Sequence, residues 1–197
     1  MPNPNRIIFR MGKRVYLRPV LREDLPRLTV WINDPQVTKN LFAFHPYTPE
    51  DEEAWVRKIS ENHGKSEVLA IVLEDSDEAI GVIDLRGIDP RNGHAEMGFS
   101  IGNKAYWNQG YGTEAQMLIL EYAFNTLNLR KVCCTVNEAN PRSRRCLEKC
   151  GYREEGRLKE HFYSQGRFLD VFQMAVFKAD FLKIWGEYRE KNGMSSV

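Results

Sequence analysis

No apolar run in this chain of 197 residues approaches the roughly 18 residues that a membrane helix needs. The opening, MPNPNRIIFRMGKR, gathers only Ile7, Ile8 and Phe9, too little for the core of a secretory signal. An excess of either charge is also missing: 28 Lys and Arg stand against 27 Asp and Glu, a formal net charge of +1. A chain so balanced has no global field favouring nucleic acid or an anionic membrane, so any anion it binds must be held locally. Cysteine is scarce and unpatterned. Cys133, Cys134, Cys146 and Cys150 form no CxxC pair, and no histidine stands close enough in sequence to complete a zinc pattern. No metal is expected, the thiols are expected reduced and mostly buried, and the protein is expected in the cytoplasm. Repeats, low-complexity segments and linkers are absent as well.

What is present is ordinary for a soluble globular protein, 42% hydrophobic and 28% charged residues in a length that suits one domain with its own core. Residues 15–20 predict a first strand. Leu25, Leu28, Trp31 and Ile32 fall at helical spacing, and Asp34-Pro35 reads as the stop. A second helix begins at Thr48, a suitable N-cap, with Pro49 in the first helical position. Glu50, Asp51, Glu52 and Glu53 complement its positive end, and it should run to about Asn62. EVLAIVL (67–73) and AIGVIDLRGID (79–89) are strand patterns joined by EDSDE. Pro90-Arg91-Asn92-Gly93 then supplies an Asn-Gly hairpin turn into HAEMGFSI (94–101).

A long helix follows to near Asn128, with Ala115, Leu118, Ile119, Tyr122 and Ala123 on one face. KVCCTV (131–136) is nearly continuous in apolar residues, as in a strand buried on both faces. Ser143, Cys146, Leu147 and Cys150 mark one face of a helix over 141–150, with Gly151 as its C′ residue. Strands near 152–161 and 167–177 flank Ser164-Gln165-Gly166. The tail ADFLKIWGEYREKNG reads as a last helix with Phe181, Leu182, Trp185 and Tyr188 inward. The order β-α-α-β-β-β-α-β-α-β-β-α predicts an α/β (α+β) domain in which helices cover a mixed sheet.

The most informative stretch is WNQGYGTEA, 107–115. Gly110 and Gly112 open the long helix, where unpaired N–H groups and the helix dipole could hold a phosphate. A plain tight turn is an alternative. A dinucleotide site is another, since Gly110-x-Gly112-x-x-Ala115 matches a permissive fingerprint. Context opposes it: Gly102–Gln109 separates the glycines from the preceding strand, and that strand leaves an antiparallel hairpin.

With YLRPVLREDLPRL before it, AEMGFSI ahead of the loop and NEANPRSRRCLEKCGYREEGRL after it, this segment resembles the acetyl-CoA pyrophosphate loop of the GNAT superfamily of N-acetyltransferases. The resemblance covers roughly 13–178 and is strongest to the branch of ribosomal-protein N-terminal and spermidine acetyltransferases. Trp107 stands where the wider superfamily carries Arg or Gln, but an aromatic suits this branch. The resemblance implies a GNAT fold with a mixed, mostly antiparallel central sheet over 13–178, an N-terminal tail over 1–12, and a C-terminal helix and tail over 179–197. It implies acetyl-CoA as cosubstrate and a primary amine as acceptor: a protein N-terminus, a polyamine or another small amine. No nucleic acid or membrane partner is implied, and a homodimer is plausible from the apolar surface of the last hairpin and helix.

Residue by residue, the resemblance implies that the strand at 94–101 splays from the strand at 131–136 and that Phe99, Ser100 and Ile101 face the pantetheine arm. Gln109, Gly110, Tyr111, Gly112 and Thr113 would hold the pyrophosphate, and Asn140 would contact the cofactor, though it also suits an N-cap. Arg142, Arg144, Arg145 and Lys149 are either a solvated face or a partner for the 3′-phosphate. Acetyl transfer to an amine needs a general base, for which Glu96 is the candidate; a structural carboxylate or an ammonium anchor is the alternative. The acid of many family members is a tyrosine at the position of Leu147, which leaves Ser143 as the candidate here. Trp31, Phe42, Phe44, His45 and Tyr47 could wall the acceptor site or simply pack. Tyr163 and Asp170 border the last hairpin, where Asp170 suits a turn anchor. With inert Glu96 and Ser143, the same fold would be a non-catalytic acyl-CoA-binding or sensing module.

Overall fold

The computed structural model describes residues 6–41 and 43–194. Phe42, and residues 1–5 and 195–197 of the two terminal segments, lie outside the described residues. Among the described residues the strands are β1 (Arg10–Met11), β2 (Val15–Pro19), β3 (Glu67–Leu73), β4 (Ala79–Asp89), β5 (His94–Ile101), β6 (Lys131–Asn137), β7 (Arg153–Ser164) and β8 (Arg167–Phe177). The helices are α1 (Leu25–Ile32), α2 (Pro35–Thr38), α3 (Pro49–Glu61), α4 (Tyr111–Glu121), α5 (Pro141–Lys149) and α6 (Lys178–Asn192). All eight strands join one sheet in the order β1-β2-β3-β4-β5-β6-β8-β7. Each neighbouring pair is antiparallel except β5 with β6. The mixed, mostly antiparallel sheet expected from the sequence is what forms.

Among the strands and α-helices of the described residues, two were not foreseen. β1 is only two residues long and lies in the expected tail, where it pairs Arg10 with Leu17 and Met11 with Tyr16. α2 starts at the Asp34-Pro35 pair read as a stop: the Asp34 side chain accepts from the Gln36 N–H at 2.8 Å, and Pro35 occupies the first helical turn. Residues that end one helix are equally fit to cap the next.

Strand alternation sends one set of side chains into the main core. Ile83 and Leu85 of β4, Ala95 and Met97 of β5, and Val132 of β6 are at most 1% exposed. They pack with Ala115, Leu118 and Ile119 of α4, Leu147 of α5 and Phe181 of α6. Each large side chain sealed there stabilises the fold by roughly 1.5–3 kcal/mol. Leu182 was expected inward but is 41% exposed. The buried stripe of α6 runs through Phe181 and Trp185, one turn apart, and Leu182 falls beside it. All four cysteines are free, with Cys134 and Cys150 buried.

The parallel pair is short. β5 and β6 meet at three rungs, His94 with Lys131, Ala95 with Val132 and Glu96 with Cys133. Beyond them β5 stays on β4 as far as Ile101, while β6 stays on β8 as far as Asn137. The two strands therefore part, and a wedge opens between 97–101 and 134–137. α4 leads out of that wedge.

Candidate active site

The turn that begins α4 needs its glycines for two different reasons. Gly110 is the N-cap residue with φ 88°, a left-handed conformation that penalises any Cβ. Gly112 is already helical; a Cβ there would lie 3.1 Å from Cε2 of Phe99 on β5. One glycine is required by conformation, the other by space. The amides that follow have no partners of their own within the helix, so they face the wedge as donors with the positive end of the dipole behind them.

This turn is clamped from behind. Glu114, 2% exposed, accepts the backbone N–H groups of Lys13 at 2.6 Å, Arg14 at 2.7 Å and Val15 at 3.3 Å, and Nε of Arg14 at 3.1 Å. Arg14 in turn donates to the Gln109 carbonyl at 2.9 Å and sets its guanidinium 4.6 Å from the centre of the Tyr111 ring. The start of β2 thereby fixes the loop's position.

The wedge widens into a cleft of about 300 Å³. Phe99, Ser100 and Ile101 line one side, Gly110, Tyr111, Gly112 and Thr113 the base, and Asn140 and Ser143 the far wall. Gln109 is not among the lining residues; its side-chain amide folds back to donate to the Ala105 carbonyl at 2.6 Å. Asn140 is the N-cap the sequence offered, its side-chain oxygen accepting from the Ser143 N–H at 3.1 Å, and it also lines the cleft.

The basic cluster divides. Arg142, Arg145 and Lys149 line the cleft, whereas Arg144 pairs with Glu148 at 3.0 Å and Glu154 at 3.1 Å. Arg142 stacks 4.0 Å from the centre of the Trp107 ring, and Trp107 donates its indole N–H to the Ile101 carbonyl at 2.7 Å. Burial lowers the pKa of Arg142. Arg145 and Lys149 form no ion pair among the described residues. Three cations around a helix N-terminus suit a polyanion. Cys146 also lines the cleft, but its thiol takes part in hydrogen bonds with Thr113 and Gln116, and burial pushes its pKa up, so it is a packed group rather than a nucleophile.

The opposite face of the sheet carries the carboxylates. Glu96 sits on the last closed rung, half-exposed, with Nη2 of Arg86 3.4 Å away; it lines neither cleft described here. Asp84 escaped the sequence reading, although an acid in the middle of the apolar run AIGVIDL was a signal for it. It lies across from Gly98, where a Cβ would come within 2.9 Å of its Oδ2, and Nε of Arg86 lies 3.0 Å from its Oδ1. Burial raises the Asp84 pKa; Arg86 opposes that shift and Glu96 adds to it.

On this side a second cleft of about 500 Å³ lies between α1, α3 and the sheet, and it shares Val37, Leu41 and Ser100 with the first. Trp31 and Tyr47 line it. His45 is exposed, and Phe44, 64% exposed, lies against Phe162 with ring centres 6.3 Å apart. Tyr163 is 57% exposed beside Phe168. Asp170 accepts the Glu160 N–H at 2.8 Å and pairs with Arg157, which makes it a hairpin anchor.

The likeness to known proteins is broad. The model of the acetyltransferase (GNAT) domain matches residues 14–153. The chain is 29% identical over 179 residues to the spermidine N(1)-acetyltransferase of Vibrio cholerae, covering 87% of this chain and 98% of that protein. It is 29% identical over 170 residues to the spermidine N(1)-acetyltransferase of Escherichia coli, covering 85% and 88%. The crystal structure of the Vibrio cholerae spermidine N-acetyltransferase in complex with CoA and spermine superposes with a TM-score of 0.79 at 26% identity, covering 87% of this chain and 99% of that one. With a glycine turn at a helix N-terminus, a parted β5–β6 pair and a family match over most of its length, this chain belongs to the GNAT family and is an acetyl-CoA-dependent N-acetyltransferase.

Proposed function

We propose that the Gly110–Thr113 turn holds the pyrophosphate of acetyl-CoA, that the coenzyme arm runs along the free edge of β5, and that the acceptor amine arrives from the α1–α3 face. The observation that carries this reading is the parted seam. From Met97 to Ile101 the edge of β5 facing β6 has no strand partner, and it ends beside the glycine turn. Backbone groups left open there can pair with the amides of an extended arm, as a strand would. Arg142, Arg145 and Lys149 supply the charge for the remaining phosphate.

The amine must lose a proton before it attacks the thioester carbonyl. Glu96, at the closed end of the seam, takes that proton directly or through water. Open N–H groups of β5 steady the oxyanion that forms as the N–C bond is made. As the C–S bond breaks, the Ser143 hydroxyl gives its proton to the leaving thiolate and regains one, through water, from the nitrogen that becomes the amide; Leu147, a hydrocarbon side chain, has no proton to give. Asp84 is a positioning residue, holding the ammonium on the face it shares with Glu96. Tyr163 and Phe168 on the exposed β7–β8 hairpin provide apolar surface for a homodimer.

Thiol release from acetyl-CoA against a panel of amines tests the reading. Polyamines stand first in it, because the named relatives act on spermidine, followed by short peptides with free N-termini, aminoglycosides and amino acids. Glu96→Gln should lower kcat by about 10²-fold or more, and Ser143→Ala by about tenfold, without weakening acetyl-CoA binding. Wild-type rates in both variants would remove the two assignments. Silence across the panel, with acetyl-CoA still raising the melting temperature, would favour the non-catalytic acyl-CoA module that the absence of the usual tyrosine suggests.

Asp84→Asn should lower turnover on the best amine by about tenfold, the order of one charge-assisted contact. It should also make the protein more stable at neutral pH. The folded-state pKa of Asp84 lies above its ordinary value, so ionisation costs stability as pH rises from that ordinary value through the raised one. Melting curves from about pH 4 to pH 8 should show the variant's advantage growing with pH. An advantage that shrinks with pH would mean that the carboxylate is stabilised by Arg86 rather than held against its solvation.

A further inference from the structure

One cation of the coenzyme cleft is held by a ring rather than by a carboxylate. Arg142, in the first turn of α5, lays its guanidinium 4.0 Å from the centre of the Trp107 ring. The side chain is half-buried, and burial pushes its pKa down. Among the described residues its N–H groups have no hydrogen bond and no ion pair. Arg144, two residues on, is the contrast, since it pairs with Glu148 and Glu154. A guanidinium has a flat face for stacking and a fork of N–H groups in its plane, so a ring that covers the face leaves the fork free for an anion. A half-buried cation with that fork unpaired costs stability until an anion completes it.

The ring beneath Arg142 is fixed from two sides. Its indole N–H donates to the Ile101 carbonyl at the end of β5 at 2.7 Å, and the Trp107 backbone N–H donates to the Lys104 carbonyl at 3.2 Å. The stack therefore reaches across the wedge, from the stretch after β5 to the start of α5, where the two strands no longer pair. It also answers a conflict within α5. Arg145 stands three residues beyond Arg142 and Lys149 four beyond Arg145, so these cleft-lining cations share one helix face and repel one another. A long cationic side chain under such repulsion would turn out to water; the ring keeps this one in the cleft.

We propose that Trp107 is a positioning residue for the coenzyme, a platform that holds Arg142 with its N–H fork turned to the 3′-phosphate. The turn amides at 110–113 are taken by the pyrophosphate, so the side-chain cations opposite are left for the phosphate that stands apart from it. Arg142 meets that group through two N–H bonds, and Arg145 and Lys149 add charge. The indole itself touches no phosphate and acts only through Arg142. This assignment rests on the acetyl-CoA reading above.

Dephospho-CoA lacks only the 3′-phosphate, so the ratio of its dissociation constant to that of CoA isolates this contact from the rest of the cleft. Calorimetry should show wild-type protein preferring CoA by about 100-fold, the order expected for a dianion among several cations. Arg142→Gln should lower that preference about tenfold and Trp107→Leu about fivefold, each by weakening CoA alone. The double variant should fall no further than Arg142→Gln, because the leucine acts only through a guanidinium that is no longer there. Trp107→Phe keeps a face for stacking and should keep most of the preference, although it loses the bond to Ile101. An unchanged preference in Trp107→Leu overturns the proposal. So does equal weakening of CoA and dephospho-CoA, which would make the indole a prop of the loop, and so do losses that add in the double variant. Wild-type protein that binds neither coenzyme would overturn the acetyl-CoA reading and this assignment with it.

Discussion

Gly112→Val is expected to raise the KM for acetyl-CoA by about 100-fold, with a much smaller loss in the rate at saturation. An alanine Cβ at 112 already stands 3.1 Å from the Phe99 ring and 3.7 Å from Sγ of Cys146, and the two extra methyl groups of valine extend into the cleft itself. Phe99 would have to swing into the space proposed for the coenzyme arm. A phosphate displaced from this turn loses one or two hydrogen bonds to a charged group, roughly 1.5–3 kcal/mol each, and about 1.4 kcal/mol is a factor of ten in affinity. Gly112→Ala should lie between the two, since Phe99 is a side chain that can yield by a few tenths of an ångström. Calorimetric titration with CoA separates binding from turnover. Wild-type affinity in the valine variant would mean that no phosphate sits against this turn.

The second large effect is expected at Glu114, far from any transferred atom. Glu114→Ala leaves the Lys13 and Arg14 amides, and the weaker Val15 contact, without their acceptor in a part-buried corner. Each stranded donor costs roughly 1–3 kcal/mol, so a total of about 4 kcal/mol is expected. For a chain of this length that corresponds to a fall in melting temperature of about 8–16 °C. The same change frees Arg14 from its ion pair and loosens its grip on the Gln109 carbonyl and the Tyr111 ring. Acetyl-CoA affinity should therefore drop together with stability, and saturating acetyl-CoA should recover part of the lost melting temperature. A variant that melts within about 2 °C of wild type would show that water replaces the carboxylate at that corner.

Much of this architecture was legible because local rules and tertiary packing agree. The Asn92-Gly93 turn joins β4 to β5 as expected, with Gly93 at φ 69° and its N–H bonded to the Asp89 carbonyl at 2.8 Å. Thr48 is the N-cap as expected, and it also forms a capping box with Asp51. The glycine turn was legible because positive φ and close approach leave a mark in composition. What was hidden depends on register or on depth. That β5 and β6 pair over three rungs cannot be read from either strand, since both patterns continue past the point of parting. Glu52 reads as one acid among four at a helix start, and only packing against α1 and the sheet distinguishes it from Asp51. Asp84 was overlooked because one polar residue hardly interrupts an apolar strand pattern. Arg144 stands with the other basic residues of α5 in sequence yet turns to Glu148 and Glu154, a distinction of helix face rather than composition.

The short parallel seam also bears on how the molecule assembles. Residues 10–101 contain all of β1 to β5, and residues 131–177 contain all of β6 to β8, so each side of the seam is built from one continuous stretch of chain and held by antiparallel pairings. Each stretch can organise through contacts close in sequence, while joining them closes a long loop through α4 and is repaid by only three backbone rungs and the helix packing. The two stretches thus share one hydrophobic core but only a short backbone junction. A molecule that spans the wedge acts as a tether between them, and its contribution to their cohesion grows with the logarithm of its concentration. Coenzyme binding and the cooperativity of unfolding are on this view one property of the protein, seen from two sides.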